Sequence, residues 1–249
     1  MRTLGLLGTV LAMLAVTACA ADDGRTSSGA PGGGPPDDEG AGGFNGSSGT
    51  AGQGGLGEGD ECQAVSQEAA NQVRPVDIIW AIDTSPSMSA EKNAVRDNLN
   101  VFAQQIGAAQ IDVHVVMIAE PLSAGGICID PPLGSGACPN DHNPPTYHHN
   151  TQWVGSHNAL GRFLGEYGEY KSALRESSVK YFAVVTDDHA EISAQAFTDA
   201  VNNLDPGWWD DWKMFGLFCA NLDQGATYQT LVNQTGGLAV ELGYRFRLF

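Results

Sequence analysis

Positive charge is scarce in this chain: 12 Lys and Arg face 29 Asp and Glu, a formal net charge of −17. That balance makes nucleic acid and anionic lipid headgroups poor partners, since both repel an acidic surface and no Lys/Arg cluster reverses the field locally. Long apolar runs are lacking as well. Residues 4–16 form an apolar stretch too short for a membrane-spanning helix, which needs roughly 20 residues. Also missing are Gly-x-Ser-x-Gly, His-Glu-x-x-His and a Gly-rich phosphate-binding loop, so no positive case for catalysis exists and the chain reads as a non-enzyme.

What is present begins with an address. Arg2 gives a basic head, the apolar stretch follows, and small residues lead to a cysteine at Val16-Thr17-Ala18-Cys19. These four residues resemble the bacterial lipobox, with valine where leucine is commoner. The resemblance implies removal of a signal peptide, residues 1–18, and lipidation of Cys19, anchoring the chain to a membrane without spanning it. An ordinary signal peptide cut elsewhere is the alternative. The expected location is the bacterial cell envelope, the outer membrane in a Gram-negative cell, with the protein facing the periplasm or the exterior.

Residues 19–61 are dominated by Gly, Ser, Pro, Asp and Ala, with Phe44 and Leu56 the only large apolar side chains. Such a segment buries too little surface to offset its ordering entropy and is expected to be a disordered tether, with an r.m.s. reach of about 35–40 Å. Eight acids against Arg25 give it a charge of −7; Arg2 contributes +1, which leaves −11 for residues 62–249. Asn45-Gly46-Ser47 fits a glycosylation acceptor, a pattern of little weight beside a bacterial lipobox.

Residues 62–249 have the size of one domain with a sizeable core. Residues 76–82 and 181–185 are short, nearly continuous apolar runs, and residues 111–119 and 214–220 share their character, as expected of parallel strands covered on both faces. Val95, Leu99, Phe102 and Ile106 recur at helical spacing, as do Phe197, Ala200, Val201 and Leu204, each set placing an apolar stripe against a sheet. Ser193 is the expected N-cap of the second helix, and Gly236-Gly237 ends a further helix around residues 228–232. The alternation predicts an α/β fold with a doubly wound, mostly parallel central sheet flanked by helices, whose ligands sit beyond the carboxyl ends of strands where strand order reverses. Residues 238–249 look short for a final strand plus a covering helix.

Residues 120–154, rich in Gly, Pro, Asn and His, interrupt this pattern. Four cysteines permit three pairings; a secreted context and proximity in sequence favour Cys128 with Cys138 and Cys62 with Cys219. The shorter loop closure contributes about 2–3 kcal/mol. The alternative for Cys219 is a buried strand residue. His142, His148 and His149 with Asp141 could ligate zinc in a metal-dependent hydrolase, but they lack a fixed helical or hairpin spacing and read as a solvated loop. His189 could be a general base, with no nucleophile evident. Trp208, Trp209 and Trp212 read as packing a loop onto the sheet, with an aromatic contact surface as the alternative.

The most informative run is Asp83-Thr84-Ser85-Pro86-Ser87-Met88, directly after the first strand. An aspartate and two hydroxyls spaced two residues apart on a turn can converge on one hard cation, because Mg²⁺ and its relatives prefer oxygen. The later strand also runs into acid, at Val184-Val185-Thr186-Asp187, so a sheet can bring Asp187 near Asp83. From residue 76 to about residue 242 the chain resembles the von Willebrand factor type A domain, matching its Asp-x-Ser-x-Ser signature and its later aspartate-bearing strand end. Pro86 replaces the glycine often found between the serines. The resemblance implies a metal-ion-dependent adhesion site: Mg²⁺, or Mn²⁺ or Ca²⁺, held by Ser85 and Ser87, with Asp83 and Asp187 acting largely through water. It also implies a further hydroxyl, from Ser156 or its rival Thr151, and a protein partner whose carboxylate completes the coordination. A bound cation would locally reverse the field that such a carboxylate meets. Two other readings stay open. In one, Ser and Asp only cap a helix start without metal; in the other, the chain is a structural or assembly lipoprotein recruiting partners through its loops.

Overall fold

The computed structural model describes residues 74–219 and 223–242. The expected signal segment, Cys19, the expected tether and Cys62 lie outside the described residues, as do residues 220–222 and 243–249. Six strands, β1 (Val76–Ile82), β2 (Val113–Ile118), β3 (Tyr147–Asn150), β4 (Val179–Thr186), β5 (Lys213–Phe218) and β6 (Leu238–Glu241), form one sheet. Their order is β3-β2-β1-β4-β5-β6 and every neighbouring pair is parallel. Helices α1 (Ser89–Ala108), α2 (Ala159–Gly165), α3 (Tyr167–Tyr170), α4 (Ala194–Asn202) and α5 (Ala226–Thr235) lie between the strands. This is a doubly wound α/β fold.

Two apolar layers explain the continuous apolar runs. Ile78, Trp80 and Ile82 of β1 and Tyr181, Ala183 and Val185 of β4 pack on the α1 side; Ile79, Ala81, Phe182 and Val184 pack on the other, against α2, α4 and α5. All seven residues of β1 are buried, so alternation in polarity would have cost it one of its two layers. Helix α1 buries Val95, Leu99, Phe102 and Ile106, and Phe102 meets Trp80 edge-on with ring centroids 6.1 Å apart. Ser193 caps α4 by accepting the Ala196 N–H at 3.2 Å. Gly236 ends α5 in the left-handed conformation, φ 63°. Gly237 is required by close approach, since a Cβ there would meet the Met214 carbonyl oxygen at 1.8 Å.

Residues 120–154 depart from expectation. They hold the edge strand β3, whose Tyr-His-His-Asn sequence has no apolar run because pairing with β2, a bridge from Asn143 to Tyr147 and bonds to Asp141 fix it instead. They also send Ile127, Ile129 and Leu133 into the α1-side core. A Cys128–Cys138 disulfide closes the segment. Cys219 is disulfide-bonded too, and Cys62, its expected partner, lies outside the described residues.

The centre of this segment is Asp141, fully buried. It accepts the Ile129 N–H at 2.5 Å and the Tyr147 hydroxyl at 3.3 Å, and meets His149 Nδ1 at 2.5 Å. His149 Nε2 faces the Ala119 carbonyl oxygen at 3.1 Å, so both ring nitrogens are committed to protein oxygens. The solvated-loop expectation therefore fails at His149, and so does a zinc site built on it. Burial raises the Asp141 pKa, but the hydrogen bond and charge of His149 and the Ile129 N–H outweigh it and hold the carboxyl below its ordinary value of 3.8. A depressed carboxylate stabilises the fold above its unfolded pKa and loses that contribution as pH falls through the folded one. Urea melts carried from neutral pH to well below 3.8 are expected to show Asp141→Asn destabilised at neutral pH and nearer to wild type in acid.

Trp209 and Trp212 are buried in the sheet layer rather than presenting a surface, and Trp208 is partly buried against the same layer. Trp209 stacks on Phe182 at 5.1 Å with planes 5° apart, and Trp212 meets Phe182 and Phe197 edge-on. They precede β5, which places them at the amino end of the sheet, opposite Asp83.

Candidate functional site

Strand order reverses between β1 and β4: the chain leaves β1 for β2 on one side and β4 for β5 on the other. Diverging connections open a crevice at such a point. Asp83 and Asp187 are the residues that immediately follow β1 and β4, and the Asp83 N–H donates to the Val185 carbonyl at 2.9 Å, carrying the pairing one residue past the strand.

Asp83 is fully buried. Its Oδ1 accepts the Ser85 N–H at 2.8 Å, and its Oδ2 accepts the Thr186 hydroxyl at 3.0 Å. The Ser85 and Ser87 hydroxyls lie 3.0 Å apart on the turn that leads through Pro86–Met88 into α1. Neither the Pro86–Met88 turn nor α1 has a side-chain hydrogen bond from its N-cap. The hydroxyls are thus not spent on capping, although the Asp83 carboxylate does serve the turn through Ser85.

The opposite wall comes from the loop before α2. The Val154 carbonyl accepts both the Thr84 N–H at 2.8 Å and the Thr84 hydroxyl at 3.0 Å, and the Ser156 carbonyl lies 3.3 Å from Thr186 Oγ1. Asn158 Oδ1 accepts the Gly155 N–H at 2.9 Å and closes this loop. Thr151 is exposed at the end of β3, the edge strand two positions from β1. The backbone of Ser156, not that of Thr151, is thereby hydrogen-bonded to the strand end bearing Asp187.

Three contributors escaped sequence reasoning. Glu91, in the first turn of α1, is 1% exposed, and among the described residues neither carboxylate oxygen has a hydrogen-bond partner outside its own residue. Burial raises its pKa, its own backbone N–H lowers it, and the charge of Asp187 raises it further. Asp83 is pushed up in the same way, first by burial and also by Asp187, against the hydrogen bonds from Ser85 and Thr186. Thr186, fully buried, links the two strand ends through Asp83 and accepts the Asp188 N–H at 3.2 Å. Lys92 Nζ donates to the carbonyls of Thr84 at 3.0 Å and Gly125 at 2.9 Å, fastening the turn to the loop after β2. Glu91 had a signal: it occupies the apolar stripe Met88, Val95, Leu99, Phe102, where an acid has no place unless something compensates it.

The charge of Asp187 thus acts on both Asp83 and Glu91, two buried acids behind a rim where Asp187 and Ser85 are half-buried and Ser87 is exposed. A carboxylate left buried without a partner is a costly feature that a cation relieves. The donors are all hard oxygens, and they fit a Mg²⁺, Mn²⁺ or Ca²⁺ class of ion held by Ser85, Ser87 and the carboxylates.

Thr186→Val tests the frame. The change keeps the shape of the side chain while removing the donor to the buried Asp83 Oδ2, and is expected to cost about 1–3 kcal/mol in denaturant unfolding. A loss within measurement error would show that Asp83 does not depend on this bond.

Comparison of the chain with protein-family models, with curated proteins and with solved structures finds no match.

Proposed function

We propose that the chain is a membrane-anchored bacterial lipoprotein whose α/β domain, of the von Willebrand factor type A kind, binds a protein or other acidic ligand through a divalent metal. The observation that carries this reading is the buried Glu91 carboxylate, which among the described residues has no hydrogen-bond partner outside its own residue and, like the buried Asp83 at the switch point of the sheet, feels the charge of Asp187. Ser85 and Ser87 would hold a Mg²⁺-type ion directly, Asp83 and Asp187 largely through water, and the Ser156 loop would supply the remaining hydroxyl. An ion held by neutral hydroxyls stays electrophilic enough to attract a ligand carboxylate, which an acidic protein would otherwise repel. Lipidated Cys19 would fix the chain to the envelope, and the tether would carry the domain clear of the bilayer. Among the described residues no helix is long and apolar enough to cross a membrane.

A second reading has one observation in its favour. Both Asp83 oxygens already have protein donors, so the rim holds its shape by itself, as an assembly protein working through its loops without metal would require. Immobilised mature chain exposed to envelope extract separates the two. Retention of a protein in Mg²⁺ and its release by chelator supports the metal-mediated contact; retention unaffected by chelator supports the loop-mediated one.

A further inference from the structure

We propose that His157, Asp188 and His189 form a second metal site, for a borderline divalent transition ion of the Zn²⁺ type, with one coordination position open to solvent. The inference rests on nitrogen donors beside the oxygen rim and does not depend on the function proposed above.

The fold makes the cluster from two loops. His157 follows Ser156 on the loop before α2, while Asp188 and His189 follow β4. A Glu191 N–H to His157 carbonyl hydrogen bond of 3.0 Å holds these loops together, and the Asp188 N–H is fixed on Thr186 Oγ1. One ligating atom from each of the three side chains lies within 4.8 Å of the others. His189 Nδ1 is 2.9 Å from Asp188 Oδ1, and His157 Nδ1 is 3.5 Å from the same oxygen. The two imidazoles stack with centroids 4.0 Å apart and planes 30° from each other. With metal–ligand bonds of about 2.0–2.1 Å, a tetrahedral ion sets its ligand atoms about 3.3–3.4 Å apart; the two contacts to Asp188 already lie near that spacing, and the imidazole stack opens to turn both in-plane nitrogens onto the ion.

Chemistry selects the ion. Two imidazoles with one carboxylate suit Zn²⁺ and its borderline neighbours, whereas the all-oxygen rim suits Mg²⁺ or Ca²⁺. His157 Nδ1 also lies 3.2 Å from the His189 carbonyl oxygen, and binding would exchange this contact and the two contacts to Asp188 for metal bonds. The side chains are 45% exposed at His157, 28% at Asp188 and 58% at His189, open enough for an ion to enter and for a fourth ligand to reach it. Three protein ligands plus a water or ligand atom is the arrangement of zinc sites with an open position.

The test is a titration of the full chain with Zn²⁺ against a chromophoric chelator, with Mg²⁺ in excess to satisfy the oxygen rim. One equivalent of Zn²⁺ is expected to bind in the wild type, and to bind at least about tenfold more weakly in His157→Ala and in His189→Ala. Equal affinity in the histidine variants would overturn the proposal by moving the ion elsewhere, as would the absence of a Zn²⁺ equivalent. Co²⁺ in the wild type gives a reading that needs no variant: an intense visible spectrum of four-coordinate nitrogen and oxygen ligation supports the site, and a weak six-coordinate spectrum sinks it. A Mg²⁺ effect that is absent while Zn²⁺ binds would count against the oxygen rim alone.

Discussion

Asp83→Ala and Asp83→Asn are expected to abolish the rise in melting temperature that Mg²⁺ produces over chelator in the wild type. A ligand that binds only the folded state at about 100 times its Kd stabilises by about 2.7 kcal/mol. For a domain of this size each kcal/mol is worth about 2–4 °C, so the wild-type rise should be about 5–10 °C. Both variants are needed because they alter the metal-free protein differently. Alanine leaves the Ser85 N–H without its acceptor and the Thr186 hydroxyl with only the Ser156 carbonyl, while asparagine keeps the shape and one carbonyl acceptor but removes the charge and replaces the other accepting oxygen with an NH₂ donor. The baseline can therefore move either way, and the reading is the difference between Mg²⁺ and chelator within each variant. If Asp83→Asn keeps the full wild-type difference, the ion does not sit at the switch point.

The acids supply a sign that ordinary surface binding would not reproduce. Burial and the charge of Asp187 raise the pKa of Asp83 above 3.8 and of Glu91 above 4.5. A carboxyl whose folded pKa is raised contributes most below its unfolded value, and its contribution is lost as pH rises through the folded one. In chelator, the metal-free fold should lose this stability as the pH climbs from about those values toward neutrality. A cation favours the ionised forms, so Mg²⁺ should remove the loss and its benefit should grow with pH.

Much of this arrangement could be read from the chain because it follows from burial. The run at residues 76–82 is apolar at nearly every position since both faces of β1 are covered, and that same run points to the Asp83 turn at its carboxyl end. Parallel pairing of β1 with β4 then brings Asp187 to the same rim. What stayed hidden was polar structure. Strand β3 reads as loop because its four residues are fixed by an edge and by Asp141 rather than by an apolar pattern. Glu91 was masked by its helix, in which an acid near the N-terminus is favourable for the macrodipole alone, and Thr186 by its place as the last residue of a strand. The pairing of His157 with Asp188 and His189 depends on two loops meeting, which no local spacing records.

Asp77→Ala is expected to cost about 3–5 kcal/mol, the usual penalty for breaking a buried ion pair from one side, and so to lower the melting temperature by about 6–20 °C. Asp77 sits fully buried at the amino end of β1, an acid inside an otherwise apolar strand. Its Oδ1 meets Arg175 Nη2 at 2.7 Å and accepts from Arg175 Nε at 2.9 Å; its Oδ2 accepts the Arg175 backbone N–H at 2.6 Å and the Ser178 hydroxyl at 2.5 Å. Arg175 also donates to the Val76 carbonyl and pairs with Asp112, so one guanidinium joins the turn before β4 to the starts of β1 and β2. Removing the carboxylate leaves that guanidinium and the Ser178 hydroxyl without their principal acceptor in a partly dry pocket. Arg175→Met should cost a similar amount by stranding the acid instead, and the double variant should cost less than the sum, since neither charge then remains alone. An additive double variant would mean that the two side chains do not act as a pair. Because this cluster lies at the end of the sheet opposite Asp83, Asp77→Ala should keep the full rise in melting temperature with Mg²⁺, starting from a lower baseline. A lost Mg²⁺ response would instead mean that the amino end of β1 sets the geometry of its carboxyl end.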